Sequence, residues 1–320
     1  MINKIVAVQG NHPSKLNPTT DTSVFLANEI QSKKYKIFYY DPKDLSVINS
    51  KVIAKGFFIK FDYTKKKFFK ILNKQKLDLT RCKFILIRQD HPFNLEYISA
   101  TYILDTIKDK VKIINNPTSI RNVSEKLYSV KYQKYMPSTI FTQNMDEIKN
   151  FFKMHEKVIL KPIHSFSGND IHLLNKFNLK LIQKFIKQHD HIMCQKYLPK
   201  ISKGDKRVFL INGKVCGAIS RVPKKGSFLS NMSKGAKPIN IKLTKTENRI
   251  SKLIAKDLKK ENIYFAGIDF IDQKLNGDIN VTSPTGLKTL FDLSGINLAK
   301  TFWEDLKAWK IYLIKKKGLS

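Results

Sequence analysis

The stretch YFAGIDFIDQKLNGDINV (264–281) predicts a β-hairpin whose turn is the Asn-Gly pair at 276–277. Asp269 lies on the first strand. Asp278 and Asn280 lie two residues apart on the second strand and therefore point to the same face of the sheet. Carboxylate and amide oxygens on facing strands are the ligands that hold Mg²⁺ beside nucleotide phosphates. In the alternative interpretation Asp278 belongs to the turn, Asp269 ends a strand, and neither binds a metal.

A second hairpin is predicted upstream, in KRVFLINGKVCGAISRV (206–222), with its turn at the Asn-Gly pair 212–213. Arginine is rare in this chain, with six residues in all, and four of them fall at the ends of predicted elements: Arg88, Arg121, Arg207 and Arg221. The planar guanidinium binds phosphate and carboxylate groups through paired hydrogen bonds. The placement therefore indicates anion binding, although six residues are a small sample and chance is the alternative.

The first 120 residues alternate between strand and helix patterns. Strands are predicted at 4–10, 36–41, 83–90 and 112–116, and helices at 21–31 and 94–107. Asp21 and Asn94 are the expected helix N-caps. The β-α-β order predicts an α/β domain with a parallel sheet covered by helices.

The pattern changes from residue 124 onward, where hairpins flank helices and an α+β region is expected. Strands are predicted at 138–143, 157–163 and 192–198, in addition to the two hairpins. Helices are predicted from residue 144, at 178–189, at 244–261 and at 297–309. Thr244 with Glu247, and Asn144 with Glu147, have the spacing of capping boxes.

The net charge of +33 suggests a polyanionic partner, but its distribution argues against one. Nearly all of the 59 basic residues are lysines, and they are spread along the whole chain. Nucleic-acid-binding proteins usually concentrate basic residues on one face or in an arm, and they use arginine to contact base edges. A dispersed basic surface is therefore favoured, with an electrostatic preference for small anionic molecules.

Cysteine content and hydropathy narrow the cellular setting. The three cysteines, Cys82, Cys194 and Cys216, are odd in number and widely spaced, which argues against a disulfide framework or a zinc site and favours a reducing cytoplasm. No apolar run approaches the roughly 20 residues that a membrane-spanning helix needs. The opening MINKIVAVQG is interpreted as a first strand and not as a signal peptide.

Several segments carry a resemblance that covers almost the whole length of the chain. They are IRQDHPFN (87–94), SATYILD (99–105), NNPTSIRNVSEKLY (115–128), ILKPI (159–163), QKYLPKISKGDKRV (195–208), FAGIDFID (265–272) and INVTSPTGLKTLFDLSGINLAKTFW (279–303). Together they resemble the prokaryotic glutathione synthetases, which have the ATP-grasp fold. The resemblance implies an N-terminal α/β (pre-ATP-grasp) domain followed by a two-lobed ATP-grasp domain. The expected boundaries are 1–123 for the first domain, 124–198 for the small lobe and 199–320 for the C-terminal lobe.

The resemblance also implies an activity. Such enzymes use ATP to convert the carboxylate of γ-glutamylcysteine into an acyl phosphate, which the amine of glycine attacks to give glutathione, ADP and phosphate. ATP and Mg²⁺ are the expected cofactors, and γ-glutamylcysteine and glycine the expected small-molecule partners. We expect no nucleic-acid or membrane partner, a cytoplasmic location and a homo-tetramer. The alternatives are a related ligase with another acid or amine, and a nucleotide-binding protein that has lost catalysis.

Residue by residue, the resemblance implies the following site. The residues that match the family's phosphate-contacting lysines are Lys126 and Lys161. The adenine segment matches at Gln195, Tyr197 and Leu198, and the ribose-binding acid at Asp205. The arginines expected to face the phosphates and the acyl phosphate are Arg207 and Arg221. The metal ligands match at Asp269, Asp278 and Asn280, and the turn beside the peptide substrate at Ser283, Pro284 and Thr285.

The chain departs from the family pattern in its loops and substrate contacts. The loop after Lys161 reads HSFSGND (164–170), with one glycine where the family has a glycine-rich run. In PKKGSFLSNMSKGAKP (223–238), Leu229 stands where the family has an arginine. A third departure is the Lys288-Thr289 pair, which replaces an expected Arg-Glu pair. Asp278 itself replaces a glutamate that is one methylene longer. These changes leave open the identity of the acid and amine and the level of activity.

Overall fold

The computed structural model describes residues 4–164 and 168–317. Its N-terminal part is a seven-stranded sheet with helices packed on it. The elements are β1 (Ile5–Gln9), α1 (Thr22–Ser32), β2 (Lys36–Tyr40), β3 (Leu45–Ile48), β4 (Lys51–Phe61), β5 (Phe69–Asp78), β6 (Phe84–Ile87), α2 (Leu95–Asp105), β7 (Lys112–Ile114) and α3 (Pro117–Asn122). Strands β2, β1, β6 and β7 run parallel in that order, which confirms the predicted α/β class.

The antiparallel extension formed by β3, β4 and β5 was not predicted. Strand β5 carries lysines at positions 70, 74 and 76, and nine of its ten residues are at least partly exposed. Its pattern is therefore dominated by solvent-facing side chains, and the alternation that marks a half-buried strand is weak. The tip of this hairpin carries three lysines, Lys65 to Lys67, and all three are exposed, in line with the dispersed basic surface favoured by the sequence.

Two antiparallel sheets follow. The four-stranded sheet, in the order β10-β9-β11-β8, belongs to the segment β8 (Thr139–Thr142), α4 (Met145–His155), β9 (Val158–Pro162), β10 (His172–Leu174), α5 (Leu179–His189) and β11 (Ile192–Lys196). The five-stranded sheet, in the order β14-β13-β12-β15-β16, belongs to the segment β12 (Asp205–Ile211), β13 (Lys214–Val222), β14 (Lys237–Asn240), α6 (Lys245–Lys260), β15 (Phe265–Ile271), β16 (Lys274–Asn280), α7 (Leu287–Ser294) and α8 (Leu298–Lys317).

The predicted helix N-caps are present, but the capping box predicted for Asn144 and Glu147 is only half formed, because the Asn144 N–H donates to Thr142 Oγ1. The Asp21 carboxylate accepts a hydrogen bond from the Val24 N–H, and the Asn94 amide oxygen accepts one from the Tyr97 N–H. Thr244 and Glu247 form the reciprocal capping box at the start of α6. These short-range signals were readable because a cap is formed by residues three apart in the sequence.

The turn of the C-terminal hairpin was predicted wrongly. Strands β15 and β16 are joined at Asp272 and Gln273, which both have positive φ (47° and 63°), and not at the Asn-Gly pair 276–277. That pair lies within β16. Phe270 pairs with Leu275 and Ile268 pairs with Ile279, so residues 276–278 together face Asp269 as a bulge.

The conformation of Gly277 explains both the bulge and the error. Its φ is 82°, a left-handed conformation that glycine adopts without steric cost, in a bulge as well as in a tight turn. A Cβ at this position would also collide with the Met193 side chain of β11. The Asn-Gly pair therefore allows the close approach of the two lobes, and the bulge carries Asp278 toward the four-stranded sheet.

The N-terminal sheet and the five-stranded sheet share a hydrophobic core that includes β1, β12, α7 and α8. Buried polar contacts fix them further. The Asn115 side chain bonds the backbone of Tyr264, Phe265 and Val281, and the Trp303 indole N–H donates to the Leu26 carbonyl at 2.9 Å. Among the described residues no helix is long and apolar enough to cross a bilayer.

Candidate active site

A cleft with about 920 Å³ of empty volume separates the four-stranded sheet from the five-stranded sheet. Of the residues expected in the nucleotide and metal sites, all line it: Lys126, Lys161, Gln195, Tyr197, Leu198, Asp205, Arg207, Arg221, Asp269, Asp278 and Asn280. The residues come from seven segments that are distant in sequence. The fold therefore brings together most of the set that the family resemblance implied.

One wall of the cleft carries an arginine cluster, which consists of Asp205, Arg207, Arg221 and Asp269. Arg207 donates from Nε and Nη2 to the two carboxylate oxygens of Asp269 at 2.5 and 2.9 Å. Arg221 donates in the same paired manner to Asp205, with its Nε at 2.8 Å from Oδ1, and its Nη2 also donates to Asp269 Oδ2 at 2.9 Å. All four side chains are buried.

Strand register creates this cluster. Arg207 on β12 lies directly opposite Asp269 on β15, and Asp205 on β12 lies directly opposite Arg221 on β13. Directly opposed side chains on one face of a sheet are close enough to bond. Burial raises the pKa of Asp269, but the guanidinium groups of Arg207 and Arg221 outweigh burial and hold this pKa far below its usual range. Burial lowers the pKa of Arg221, but the carboxylates of Asp205 and Asp269 outweigh burial and raise it.

A lysine cluster, which consists of Lys126, Lys161, Asn276 and Asp278, spans the cleft. Lys161 on β9 donates from Nζ to the Asn276 carbonyl at 3.0 Å and to its side-chain oxygen at 2.9 Å. Its Nζ also lies 3.4 Å from Asp278 Oδ2, and the Lys126 Nζ lies 3.5 Å from Asp278 Oδ1. These contacts join the two lobes across the cleft.

Burial and charge act in opposite directions on the lysine cluster. Burial raises the pKa of Asp278, but the charges of Lys161 and Lys126 outweigh it and the pKa is lowered. Burial lowers the pKa of Lys161, and the neighbouring Lys126 adds to that effect, while Asp278 opposes it. A phosphate group in the cleft would give these two buried ammonium groups a further anionic partner.

The three expected metal ligands line the same cleft. Asn280 Oδ1 is buried and accepts no hydrogen bond from the described residues. An unsatisfied buried oxygen is unfavourable unless a ligand or ion completes it. With the carboxylates of Asp269 and Asp278, it gives the all-oxygen donor set that Mg²⁺ prefers. No group of three or more His, Cys, Asp or Glu side chains that could hold a metal ion occurs in the part of the chain that the structure describes. The expected ligands are oxygens alone, which suits Mg²⁺ better than a soft metal.

The far end of the cleft is apolar. Ile159, Ile171, Ile201 and Ile271 line it beside Tyr197 and Leu198 at the end of β11. The Gln195 side chain is buried and donates to Thr139 Oγ1 at 3.0 Å, so it already has a partner on β8. An apolar slot of this kind is suited to a flat heterocycle.

The expected peptide turn at residues 283–285 does not line the main cleft. It lies against Arg88, whose Nη2 donates to the Pro284 carbonyl at 3.0 Å and whose carbonyl accepts from Ser283 Oγ at 3.4 Å. Arg88 is buried, and its Nη1 donates to none of the described residues. In the sequence, Arg88 is an arginine at the end of a predicted strand and belongs to the segment IRQDHPFN. The scarcity of arginine in this chain was the signal for a functional role, but the sequence could not identify the partner, Pro284, because it lies almost 200 residues away.

Two loops meet over the cleft. Of the loop 164–170, residues 165–167 lie outside the described residues. Gly168 has a φ of 71°, and a Cβ there would collide with Asn231 of the second loop. Lys234 Nζ donates to the Asn169 side chain at 2.8 Å. Leu229 lines the cleft and brings an apolar side chain where the family resemblance predicted an arginine.

Comparison with known proteins agrees with this geometry. The family model for the N-terminal domain of prokaryotic glutathione synthetase matches residues 5–121, and the model for its ATP-grasp domain matches residues 125–295. The glutathione synthetase of Brucella melitensis is 34% identical over 307 residues, which is 95% of this chain and 98% of that protein. The glutathione synthetase of Buchnera aphidicola is 34% identical over 301 residues, covering 92% and 93%.

Solved structures show the same fold at low identity. D-cycloserine synthetase DcsG aligns with a TM-score of 0.64 and 10% identity, over 94% of this chain and 99% of that chain. The ATP-grasp ligase PsnB, in a complex with Mg and ADP, aligns with a TM-score of 0.64 and 12% identity, over 96% and 98%. The family matches and these folds together mark the chain as an ATP-dependent ligase.

Proposed function

Because this chain belongs to the prokaryotic glutathione synthetase family, we propose that it joins γ-glutamylcysteine to glycine at the expense of ATP, giving glutathione, ADP and phosphate. The observation that carries the proposal is the cleft in which two buried lysines face two buried arginines around a set of oxygen ligands. That arrangement is suited to a triphosphate. The apolar slot at its far end is suited to an adenine ring.

The chemistry requires positioning and charge neutralisation more than a protein nucleophile. A carboxylate is a poor electrophile until one of its oxygens carries a phosphoryl group, which makes that oxygen a leaving group. During transfer, negative charge spreads over the phosphoryl oxygens and is stabilised by fixed cations. Lys126 and Lys161 would bind the ATP phosphates. Arg207 and Arg221 would face the transferred group, sharing their donors with Asp269 and Asp205.

The remaining roles follow the lining of the cleft. Gln195, Tyr197 and Leu198 would hold the adenine, and Asp205 would reach the ribose. Asp269, Asp278 and Asn280 would hold Mg²⁺, which neutralises phosphate charge when bound. The turn formed by Ser283, Pro284 and Thr285 would hold the peptide substrate. We add Arg88 to that site, because its buried Nη1 can donate to a substrate carboxylate.

The proposal extends to the organisation and location of the protein. We propose the boundaries 1–123, 124–198 and 199–320, which place each sheet in its own unit. The three cysteines are free and lie apart, with Cys82 just before β6, Cys194 on β11 and Cys216 on β13, which favours a reducing cytoplasm. A homo-tetramer is proposed from the family alone.

The decisive experiment supplies purified protein with ATP, Mg²⁺, γ-glutamylcysteine and glycine. We expect glutathione by mass, with ADP and phosphate formed in equal amounts. A related ligase remains the second candidate, because Leu229 replaces a cleft arginine and Lys288 is bonded to Asp292 within α7. ATP turnover only with another acid or amine would favour that candidate and contradict the first.

The metal assignment has its own test in Asn280→Ala. Because Asn280 Oδ1 has no partner among the described residues, its removal should change the free energy of unfolding little. The Mg²⁺ concentration needed for half-maximal turnover should rise roughly tenfold or more, as expected for a lost metal-orienting contact. An unchanged Mg²⁺ requirement would remove Asn280 from the metal site.

A further inference from the structure

The Asn276-Gly277 pair interrupts strand β16 beside the cleft. An Asn-Gly pair is typical of a tight turn, yet this one lies in the bulge opposite Asp269, and the turn of the hairpin is at Asp272 and Gln273. Asn276 is half-buried and lines the cleft. Because bulges re-aim side chains next to binding sites, the pair is a candidate for a positioning role.

The oxygens of Asn276 take up most of the hydrogen-bonding capacity of Lys161. An ammonium group has three N–H donors. Two of them reach Asn276, one at its carbonyl oxygen (3.0 Å) and one at its Oδ1 (2.9 Å). The contact from Lys161 Nζ to Asp278 Oδ2 is longer, at 3.4 Å. The donor that points to Asp278 is therefore the most weakly held, and a phosphate oxygen can take it without breaking the bonds to Asn276.

The two bonds from Lys161 to Asn276 cross from one lobe to the other. Lys161 lies on β9 of the four-stranded sheet, and Asn276 lies on β16 of the five-stranded sheet. A lysine side chain has many rotamers, and fixing one of them costs conformational entropy. Because Asn276 fixes the ammonium before a ligand arrives, the binding of a phosphate has less of this cost to overcome.

The position of Asn276 is set by its own neighbours. Its Nδ2 donates to Asp278 Oδ2 at 3.4 Å, which turns Oδ1 toward Lys161. Gly277 has a φ of 82°, and a Cβ there would lie 2.5 Å from Met193 Cε and 2.9 Å from Met136 Cε. The backbone of the bulge is therefore packed closely against these two methionines, which keeps both Asn276 oxygens in place.

We propose that Asn276 is a positioning residue of the nucleotide site, which holds the Lys161 ammonium where it meets a phosphate of ATP. The inference rests on the proposed function, in which the cleft binds ATP. When a phosphate oxygen binds, Lys161 exchanges its long contact with Asp278 for that oxygen and keeps both bonds to Asn276. Asp278 keeps a cationic neighbour, because Lys126 Nζ lies 3.5 Å from its other oxygen.

The test is a double-mutant cycle in which calorimetry measures the dissociation constant for ATP. The four proteins are the wild type, Asn276→Ala, Lys161→Met and the double variant. Asn276→Ala removes Oδ1 and leaves the carbonyl, so the dissociation constant should rise about three- to tenfold, as for one lost hydrogen bond. In the Lys161→Met background the same change should alter it less than about twofold, because Asn276 acts through Lys161.

Asn212→Ala is the matched control, because Asn212 belongs to the other Asn-Gly pair of the chain. That pair forms the turn between β12 and β13, and Asn212 has a positive φ of 50°. Alanine adopts this conformation less readily than asparagine, so the variant should lose stability in urea unfolding. Asn212 is not among the residues that line the cleft, so its dissociation constant for ATP should stay within about twofold of the wild type. An effect of Asn276→Ala that came only from a weakened fold would appear in both variants.

Gly277→Ala disturbs the same contact by a different route. The added Cβ would push the bulge away from Met193 and shift both Asn276 oxygens, so ATP affinity should fall, again only when Lys161 is present. Thermal unfolding without ligand checks that each variant is folded.

The outcomes separate this inference from the proposed function. If the wild type does not bind ATP, the proposed function fails. If Lys161→Met leaves ATP affinity unchanged, Lys161 does not bind a phosphate and the positioning role fails with it. If Lys161→Met weakens ATP binding and Asn276→Ala does not, the nucleotide site stands and the positioning role is overturned. An equal loss in both backgrounds also overturns it, because Asn276 would then act on ATP without Lys161.

Discussion

The arginine cluster and the lysine cluster line one cleft, and both pair buried cations with carboxylates, which are buried in the arginine cluster and 27% exposed at Asp278 in the lysine cluster. They differ in origin. The arginine cluster is made within one sheet, by residues that strand register places directly opposite each other. The lysine cluster joins Lys126, which precedes a short helical segment, to Lys161 on β9 and to the bulge in β16. One is a property of a sheet, and the other is a contact between lobes.

The difference also concerns the cations themselves. A guanidinium stays protonated in proteins and binds a carboxylate through two parallel hydrogen bonds. A buried ammonium can lose its proton when its partner is removed, and the pKa of Lys161 is already lowered by burial. The arginine cluster should therefore tolerate the loss of a partner poorly, while the lysine cluster can adapt. Substitutions at matched carboxylates can separate these two behaviours.

The largest effect is expected for Asp269→Ala. This change removes three hydrogen bonds and leaves two buried guanidinium groups short of an anion. Loss of one partner of a buried ion pair costs about 3–5 kcal/mol in the free energy of unfolding. Urea unfolding followed by circular dichroism measures this cost, and turnover with Mg²⁺ should be abolished.

The surface pair between Lys131 and Glu261 provides the reference for Asp269→Ala. Its Nζ–Oε1 distance is 3.3 Å and both side chains are more than 40% exposed, so Glu261→Ala should cost less than about 1 kcal/mol. If the two variants cost the same, the arginine cluster does not stabilise the sheet in the way described.

A smaller loss of stability, about 1–3 kcal/mol, is expected for Asp278→Ala. Lys161 keeps both bonds to Asn276, and it can release its proton because burial lowers its pKa. Activity should nevertheless fall as far as in Asp269→Ala, because both carboxylates are proposed metal ligands. Parallel unfolding and Mg²⁺-dependent turnover measurements would show whether stability and activity separate here. A stability loss larger than that of Asp269→Ala would reverse the comparison.

The sequence predicted the arginine cluster better than the lysine cluster, for a physical reason. Once β12, β13 and β15 are recognised as strands, the register that buries their alternating apolar side chains also brings Arg207 opposite Asp269. The lysine cluster depends on a bulge, and the same Asn-Gly pair favours a bulge and a tight turn equally well. Local sequence could not distinguish the two, because the choice is decided by Met193 and Met136 packing against Gly277.

Glu125 and Arg88 lay beyond sequence reasoning for a related cause. Each lies within a segment that carries the family resemblance, but its partner, Thr282 for Glu125 and Pro284 for Arg88, is more than 150 residues away. The alternation of β-α-β elements identified the N-terminal sheet, whereas the lysine-rich strand β5 masked its antiparallel edge. Short-range patterns therefore gave the elements, and long-range packing decided which polar side chains meet.

A still smaller change in stability is expected for Lys161→Met. Burying an ammonium has a desolvation cost, and an apolar side chain of similar length avoids it, so the free energy of unfolding should change by no more than about 1 kcal/mol. Lys126 remains beside Asp278 to balance its charge. Affinity for ATP, measured by calorimetry, should fall roughly tenfold or more. Unchanged ATP affinity would remove Lys161 from the phosphate site.

The smallest expected effect is a dependence on pH of the stability difference between the wild type and Asp278→Asn. The lysines lower the pKa of Asp278 in the folded state below its ordinary value of 3.8. An acid with a lowered folded pKa contributes stability that is complete above its unfolded pKa and is lost as the pH falls through the folded value. The difference should therefore be constant between pH 7 and pH 5 and should narrow, by less than about 1 kcal/mol, as the pH falls from about 4 to 3. Urea unfolding across this range measures it. A difference that widens on acidification would mean that Asp278 is stabilised in its protonated form, and the lysine cluster would then not be an ion pair at all.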